Sequence, residues 1–319
     1  MFSFLNSFLD PVVSVLGRPL LIATLIHAAL NYKILPFAWH IRVFYGYFRY
    51  NYFNKQPGGP AKTLTPSGRE SLTIFESTIY TTATPPGELD FNLHKSNSTY
   101  FSDIDPARTW HLYILFRIGL MKYKTLIVPV VGSITCTYKR EIPHFVNVEI
   151  WTRILSWDAK WIYVISHFVE AGAVKPVLYT AQPGKKATTG PKKESGTGKG
   201  KHPAGIIYAT CIQKVVLKEG RRTVPPVQLM QECGLLPAGD VGYAGGGVLG
   251  READVKSRGS GKASGSGHDG DDARYLERVE ERRAKGWVLA SHVAALDDAA
   301  SWFNEDGVEE EPVVYGQYA

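Results

Sequence analysis

Cysteine is scarce in this chain of 319 residues, which contains only Cys136, Cys211 and Cys233. The three are widely separated, and none has the short spacing of a zinc-binding pair. An odd count also argues against a disulfide framework. The sequence therefore does not predict a cysteine-rich secreted module or a thiolate metal site, and a reducing compartment is the simpler interpretation.

The chain also lacks a long hydrophobic run. Its best apolar segment, Pro19–Leu30, is bounded by Arg18 and Asn31. It is shorter than the roughly 20 residues that a membrane-spanning helix needs. No basic region precedes it, so a signal peptide fits poorly.

Residues 11–53 contain no acidic residue, whereas aromatic and basic residues are frequent among them. Such interleaving suits a membrane interface. Lys33, Arg42, Arg49 and Lys55 follow the apolar run, and this bias would keep the rest of the chain in the cytoplasm if the segment spanned, with the endoplasmic reticulum as one candidate membrane. We expect residues 1–55 to associate with a membrane; the alternative is a helical arm packed on the protein's own core.

Composition divides the rest of the chain. Residues 56–69 form a Pro/Gly linker, and residues 70–237 carry the folded pattern. Within them, residues 182–203 form a basic low-complexity insertion, and residues 238–272 form a Gly/Ser linker; both are predicted to be disordered. Residues 273–319 hold a short helix, predicted over Asp271–Lys285, and an acidic tail. Because much of the net charge of +6 lies in the low-complexity insertion, no nucleic-acid partner is indicated.

In the folded part, the spacing of apolar residues changes between that of strands and that of a helix. A strand is predicted over 70–83, then a long helix that begins near Tyr100, then strands over 126–139, 145–155, 160–170 and 205–218. Pro106 should kink that helix or begin a second one. The short turns between strands favour antiparallel neighbours. The predicted fold is α+β, an antiparallel sheet wrapped around one central helix.

Chemistry concentrates between that first strand and the helix. The stretch Glu88–Arg108 contains an acid, a histidine, an asparagine and a tyrosine at the spacing Asp90-x3-His94-x2-Asn97-x2-Tyr100. A carboxylate there could act as general base or nucleophile, and N–H groups at a helix start could stabilise an oxyanion. The alternative is that Asp90, His94 and Asn97 only cap and brace the turn.

This pattern, which ends in Ala107-Arg108, resembles the signature of hotdog-fold acyl-CoA thioesterases, and most closely that of a fungal form of the thioesterase superfamily member 6-like proteins. The resemblance covers about residues 36–237. It implies a single hotdog domain over 70–237 that follows an apolar N-terminal segment, and a homodimer, since relatives build the site across a dimer interface.

The resemblance also assigns residues. Asp90 matches a catalytic carboxylate, and Asn97, His94 and Asp105 match further catalytic positions, while substrate would contact Ser96, Ser98, Thr99 and Tyr100. The chain departs from the pattern at Glu88, at Lys95-Ser96, and at Leu93, which replaces a glycine. The turn must then do without a residue free to take a positive φ.

These features predict hydrolysis of an acyl-CoA-type thioester without metal or cofactor. Two other functions fit the same fold. One is a non-catalytic acyl-lipid-binding or membrane scaffold protein. The other is a dehydratase, for which His94 and Asp105 form the only local histidine–acid pair.

Overall fold

The computed structural model describes residues 17, 19–49, 72–120, 122, 123, 125–174, 207–237 and 268–298. The linker predicted over 56–69, the insertion predicted over 182–203, most of the linker predicted over 238–272 and the acidic tail lie outside these residues. Of these four segments, the structure describes only residues 268–272 of the second linker.

Six strands form one antiparallel sheet: β1 (Thr78–Ala83), β2 (Ile127–Tyr138), β3 (Asn147–Trp157), β4 (Ile162–Glu170), β5 (Ile207–Glu219) and β6 (Arg222–Val224). The order across the sheet is β1-β3-β4-β5-β2, and β6 pairs with β5. The predicted strands and their antiparallel pairing are confirmed. Residues 73–75 form a 3-10 turn rather than the start of β1, and the short β6 was not predicted.

The helix α3 (Thr99–Leu120) lies against this sheet as one continuous element that includes Pro106. The alternative of a second helix that begins at Pro106 was wrong, because a proline removes only one helical hydrogen bond and the packing on both sides of it holds the helix. Around its first half lies a cluster with Tyr100, Ile104 and Phe168. Around its second half lies a cluster with Leu112 and Phe116.

In the part of the chain that the structure describes, two helices precede the sheet. Residues 19–30 form α1, and Ala38–Phe48 form α2, with a 3-10 turn over Tyr32–Ile34 between them. The helix α2 packs on α3: Gly46 lies against the Trp110 ring so closely that a Cβ would meet Trp110 Cδ1 at 2.0 Å. No helix in the described residues is long and apolar enough to cross a membrane.

After the sheet, α4 (Pro226–Glu232) covers the end of α3, and α5 (His268–Ala295) lies along β3. The helix α5 is longer than the predicted Asp271–Lys285, and its first residues fall within the predicted Gly/Ser linker. Tyr275 and Val279 of α5 are buried in the cluster around Phe116. Ala290 and Val293, which lie beyond the predicted end at Lys285, are buried as well, and burial of an apolar face stabilises turns whose sequence is only weakly helical.

Cys136 and Cys211 form a disulfide, and Cys233 is a buried free thiol. The two bonded residues stand directly opposite each other in the β2–β5 register. The odd count of cysteines was therefore a poor guide, since register rather than number brought two of them together.

Candidate functional site

The strand-to-helix connection forms a small hairpin, defined here as the site hairpin, residues 88–96. Its two arms are joined by backbone hydrogen bonds: the Asp90 N–H donates to the His94 carbonyl (2.9 Å) and the Ser96 N–H donates to the Glu88 carbonyl (2.8 Å). The Lys95 N–H donates to the Ile142 carbonyl (2.9 Å), which ties the hairpin to the loop between β2 and β3. These bonds give the predicted site residues a defined backbone.

Leu93 occupies the left-handed region at the tip of the site hairpin, with φ of 61°. The sequence-based expectation that this turn avoids a positive φ was wrong. A leucine in this conformation strains the backbone by about 1–2 kcal/mol, which the glycine of the family pattern would avoid. Backbone closure of the hairpin, rather than residue type, dictates the conformation.

Asp90 lies at this tip and is half-buried. Its Oδ1 accepts hydrogen bonds from the N–H groups of Asn92 (2.8 Å) and His94 (3.3 Å). The carboxylate therefore braces the turn, as an Asx residue does. No hydrogen bond within the described residues engages its second oxygen, so the brace leaves a lone pair for chemistry.

The histidine–acid pair required by a dehydratase is not formed. The Asp105 carboxylate accepts a hydrogen bond from Arg108 at 2.7 Å. His94 Nδ1 lies 3.3 Å from a Glu141 carboxylate oxygen, without the geometry of a hydrogen bond. His94 and Asp105 thus each face a different charged partner.

The start of α3 lies beside the hairpin. Ser96 and Thr99 close its first turn, because the Ser96 carbonyl accepts both the N–H (3.0 Å) and the hydroxyl (2.7 Å) of Thr99. Tyr100 is buried, with its N–H on the Asn97 carbonyl (3.4 Å). Asn97 and Ser98 are exposed, and in the described part of the chain no acceptor engages their N–H groups.

Beneath the hairpin lies a feature that the sequence analysis missed, defined here as the charge cluster: Lys33, Arg42, Glu88, Lys95 and Asp103. The Lys33 ammonium contacts both carboxylates at 2.8 Å, and the Lys95 ammonium contacts Glu88 at 2.5 Å and Asp103 at 2.9 Å. Arg42 reaches the other oxygen of Asp103 at 2.5 Å. The two carboxylates and the two lysines are buried, and Arg42 lies at the rim.

Burial and charge act against each other within the cluster. Burial alone would raise the pKa of Asp103, but the nearby Lys33, Lys95 and Arg42 hold that pKa below its ordinary value. For Lys33 burial prevails: together with the Lys95 ammonium it lowers the pKa, although Asp103 and Glu88 oppose the shift. Glu88 keeps one oxygen, Oε1, buried and without a hydrogen-bond partner in the described residues.

A second polar chain crosses the sheet below α3. Arg108 is buried and donates to Gln213 (2.8 Å), which in turn donates to Ser166 (2.9 Å). The Ser166 and Thr152 hydroxyls share a hydrogen bond of 2.9 Å. Arg108 thereby fixes α3, and with it Asp105, over the centre of the sheet. The sequence predicts neither the charge cluster nor this polar chain, since each joins residues that are distant along the chain.

Comparison with known proteins agrees with this architecture. Residues 84–226 match the family model "Thioesterase-like superfamily". A probable thioesterase of Emericella nidulans, atnL, is 32% identical over 305 residues, which cover 88% of this chain and 87% of that protein. Protein THEM6 of Danio rerio is 36% identical over 99 residues, or 30% of this chain and 48% of its own.

Among solved structures, the probable thioesterase YbaW of Escherichia coli aligns over 49% of this chain and 96% of its own, with 12% identity and a TM-score of 0.34. The family match, the full-length relative and the antiparallel sheet around α3 agree with one another. The resemblance deduced from the sequence and the hotdog fold are both confirmed, and the chain belongs to the thioesterase-like superfamily as a thioester hydrolase.

Proposed function

We propose that this protein hydrolyses an acyl thioester of the acyl-CoA class at the site hairpin, with Asp90 as the general base. The observation that carries the proposal is the position of Asp90, on an exposed tip beside the first turn of α3. One of its carboxylate oxygens holds the turn while the other is available.

In the reaction, the second oxygen of Asp90 takes a proton from water as that water attacks the thioester carbonyl carbon. The resulting oxyanion accepts hydrogen bonds from the N–H groups of Asn97 and Ser98, which point from the start of a helix. The carbon–sulfur bond then breaks, the thiolate leaves and takes up the proton, and the carboxylic acid is released.

Apolar side chains flank the hairpin and suit an acyl substrate. Phe91 is 93% exposed, and Leu93 and Phe145 are more than half exposed. The isolated bridge between His94 and Pro143 brings the hairpin and the Phe145 loop side by side. Exposed aromatic and aliphatic side chains of this size mark a surface that binds apolar ligands.

The test is thioester cleavage by the full-length protein in detergent micelles, with acyl-CoA substrates of increasing chain length. We expect turnover by wild type and a loss of about 100-fold or more in Asp90→Asn, consistent with removal of a general base. Asp158→Asn, a turn aspartate on the β3–β4 connection, serves as the matched control. Equal rates in wild type and Asp90→Asn would refute the role of Asp90. No cleavage of any chain length would instead favour the non-catalytic acyl-lipid-binding protein.

We further propose that α1 and α2 attach the enzyme to a membrane surface. In α1 the large apolar side chains are exposed on every face, as a helix immersed in lipid requires. Exposed aromatic residues Trp39, Phe44 and Phe48 on α2 continue this surface. The matching measurement is vesicle co-sedimentation and carbonate extraction of the full chain. Failure to bind vesicles of any composition would refute attachment.

The remaining proposal is a homodimer that pairs through β2. This strand lies at the edge of the sheet, is 12 residues long and contains no charged residue. Val128 and Val130 are exposed on it. A long apolar edge of this kind pairs with another strand. Light scattering should report a dimer for wild type and a monomer for Val130→Lys, and a wild-type monomer would refute the assignment.

A further inference from the structure

The charge cluster joins two parts of the chain that are far apart in sequence. Glu88 and Lys95 stand at the base of the site hairpin, and Asp103 lies on α3. Lys33 and Arg42 come from the N-terminal arm, defined here as residues 31–49, which precedes the residues that match the family model. Lys33, from outside the matched domain, thus contacts Glu88 at the hairpin base, and Arg42 contacts Asp103 beside it.

Several further contacts bind the same two parts. The Lys33 ammonium donates to the Ala83 carbonyl (2.7 Å), at the end of β1. The Asn31 side chain accepts the Gly87 N–H (2.7 Å), one residue before the hairpin. Arg42 also donates to the Tyr80 hydroxyl (3.0 Å), and its own carbonyl accepts the Trp110 indole N–H (2.9 Å). The arm therefore contacts both ends of the connection that leads into the hairpin.

Such a cluster specifies geometry more than it adds stability. Removing buried charges from water costs about as much as their attraction returns, and apolar residues of similar volume often stabilise as well or better. Each ammonium and carboxylate here, however, has fixed partners at hydrogen-bond distance, so the hairpin base is held in one arrangement. A displacement of about 1 Å at a catalytic group is enough to slow a reaction by about 100-fold.

We propose that Lys33 and Arg42 are positioning residues for the site hairpin, so that the N-terminal arm is part of the catalytic unit. They hold Glu88 and Asp103, and through them the hairpin base and the first turns of α3, at the spacing that Asp90 and the α3 N–H groups need. The effect on turnover rests on the proposed thioester hydrolysis; the effect on the hairpin itself does not.

Hydrogen exchange in the full-length protein in detergent micelles tests directly whether the arm holds the site hairpin in place. In Lys33→Met we expect the amides of Asp90, Lys95 and Ser96 to exchange about tenfold faster, because local opening becomes easier. Amides of β4, which lies far from the arm, should change by less than about twofold. Arg49→Met, which removes a cation at the C-cap of α2 outside the cluster, is the matched control and should leave the hairpin amides unchanged.

Turnover of the same variants supplies the second readout, at a temperature where circular dichroism shows every variant folded. Since Lys33 does not touch substrate, we expect kcat to fall about tenfold in Lys33→Met while KM stays within about twofold. Arg42→Lys, which keeps a cation near Asp103, should retain most of the activity that Arg42→Met loses. Arg42→Met also replaces Lys33→Met if the latter does not fold, because Asp103 then keeps both lysines.

The outcomes separate the two proposals. Faster exchange confined to the hairpin supports the positioning role even if wild type cleaves no thioester, in which case only the proposed function fails. Unchanged hairpin exchange, or an equal increase throughout β4, overturns the positioning role. A fall in thermal stability with kcat per folded molecule unchanged also overturns it.

Discussion

The two halves of α3 lie in different surroundings. The first half carries Asp103 and Arg108, which are buried in the charge cluster and in the polar chain across the sheet. The second half carries Leu115 and Phe116, which pack with α4 and with Tyr275 of α5 in an apolar cluster. Besides the sheet, the N-terminal arm contacts the first half through ion pairs, whereas α4 and α5 contact the second half through apolar side chains.

The difference separates positioning from stability. An apolar cluster tolerates small shifts and adds stability in proportion to the area that it buries. A buried set of charges adds little net stability but penalises any arrangement in which one charge loses its partner. The candidate chemistry lies at the charged end, where position matters, and the apolar end holds the domain together. Four predictions test this comparison.

The largest effect is expected at the charged end, where the number of charges decides the outcome. Counted as ionised, the cluster holds three cations (Lys33, Arg42, Lys95) and two carboxylates (Glu88, Asp103), a net charge of +1. Glu88→Gln raises this to +2 and should lower the free energy of unfolding by about 3–5 kcal/mol. Lys33→Met brings the net charge to zero and should lower the free energy of unfolding by less. Denaturant titration of both variants measures the difference, and a larger loss in Lys33→Met would contradict the charge count.

At the apolar end, volume should decide. A Cβ on Gly286 of α5 would lie 1.9 Å from the Leu155 carbonyl oxygen of β3. Gly286→Ala should therefore destabilise by about 1–3 kcal/mol through overpacking. An exposed helical glycine would instead gain up to about 1 kcal/mol on this change. Val288→Ala, on the exposed side of α5, is the control; thermal unfolding that shows a stabilised Gly286→Ala would mean that α5 is not held against β3.

His111 lies where the two halves meet, fully buried, with its Nδ1 3.1 Å from the Thr78 hydroxyl. Burial lowers the pKa of His111 to about 3, so the folded protein keeps it neutral while the unfolded chain takes up a proton near pH 6.5. Its contribution to stability is complete above pH 6.5 and declines as pH falls towards 3. Between pH 7.5 and 5, His111→Gln should lose about 2 kcal/mol less than wild type in urea titrations. Equal losses would show that His111 is protonated in the folded state.

The smallest effect concerns the hairpin tip. Leu93→Gly relieves the left-handed strain but gives the unfolded chain more freedom, so we expect a net stabilisation of no more than about 1 kcal/mol. Leu93→Ala, which keeps the strain, is the control and should not stabilise. Thermal unfolding of the pair measures the relief of strain less the extra unfolded-state entropy of glycine, and a destabilised Leu93→Gly would mean that the Leu93 side chain packs on a partner.

Sequence reasoning succeeded for features that are local. The apolar patterns of β2 to β5 located those strands to within about two residues: β2 and β3 alternate between apolar and polar side chains, and β4 is apolar on both faces. The helix predicted to begin near Tyr100 corresponds to α3, and the short turns identified the antiparallel neighbours. The spacing around Asp90 identified the site hairpin and the family.

It failed where partners are distant along the chain. Nothing near Lys33 or Lys95 predicts that these lysines meet two buried carboxylates, since lysine is usually exposed. Cys136 and Cys211 are 75 residues apart, and only the β2–β5 register brings them together. The left-handed conformation of Leu93 follows from closure of the hairpin, which a leucine in the sequence does not reveal.

The sequence by itself determined the hotdog domain, its family and the place of the candidate chemistry, because hydrophobic period and motif spacing are properties of neighbouring residues. Only the tertiary structure decided that Lys33 and Arg42 of the N-terminal arm meet Asp103 of α3, and that Lys33 also contacts Glu88 at the base of the site hairpin. The free energy of a buried charge depends on which opposite charges surround it, and in this protein those charges come from three separate parts of the chain.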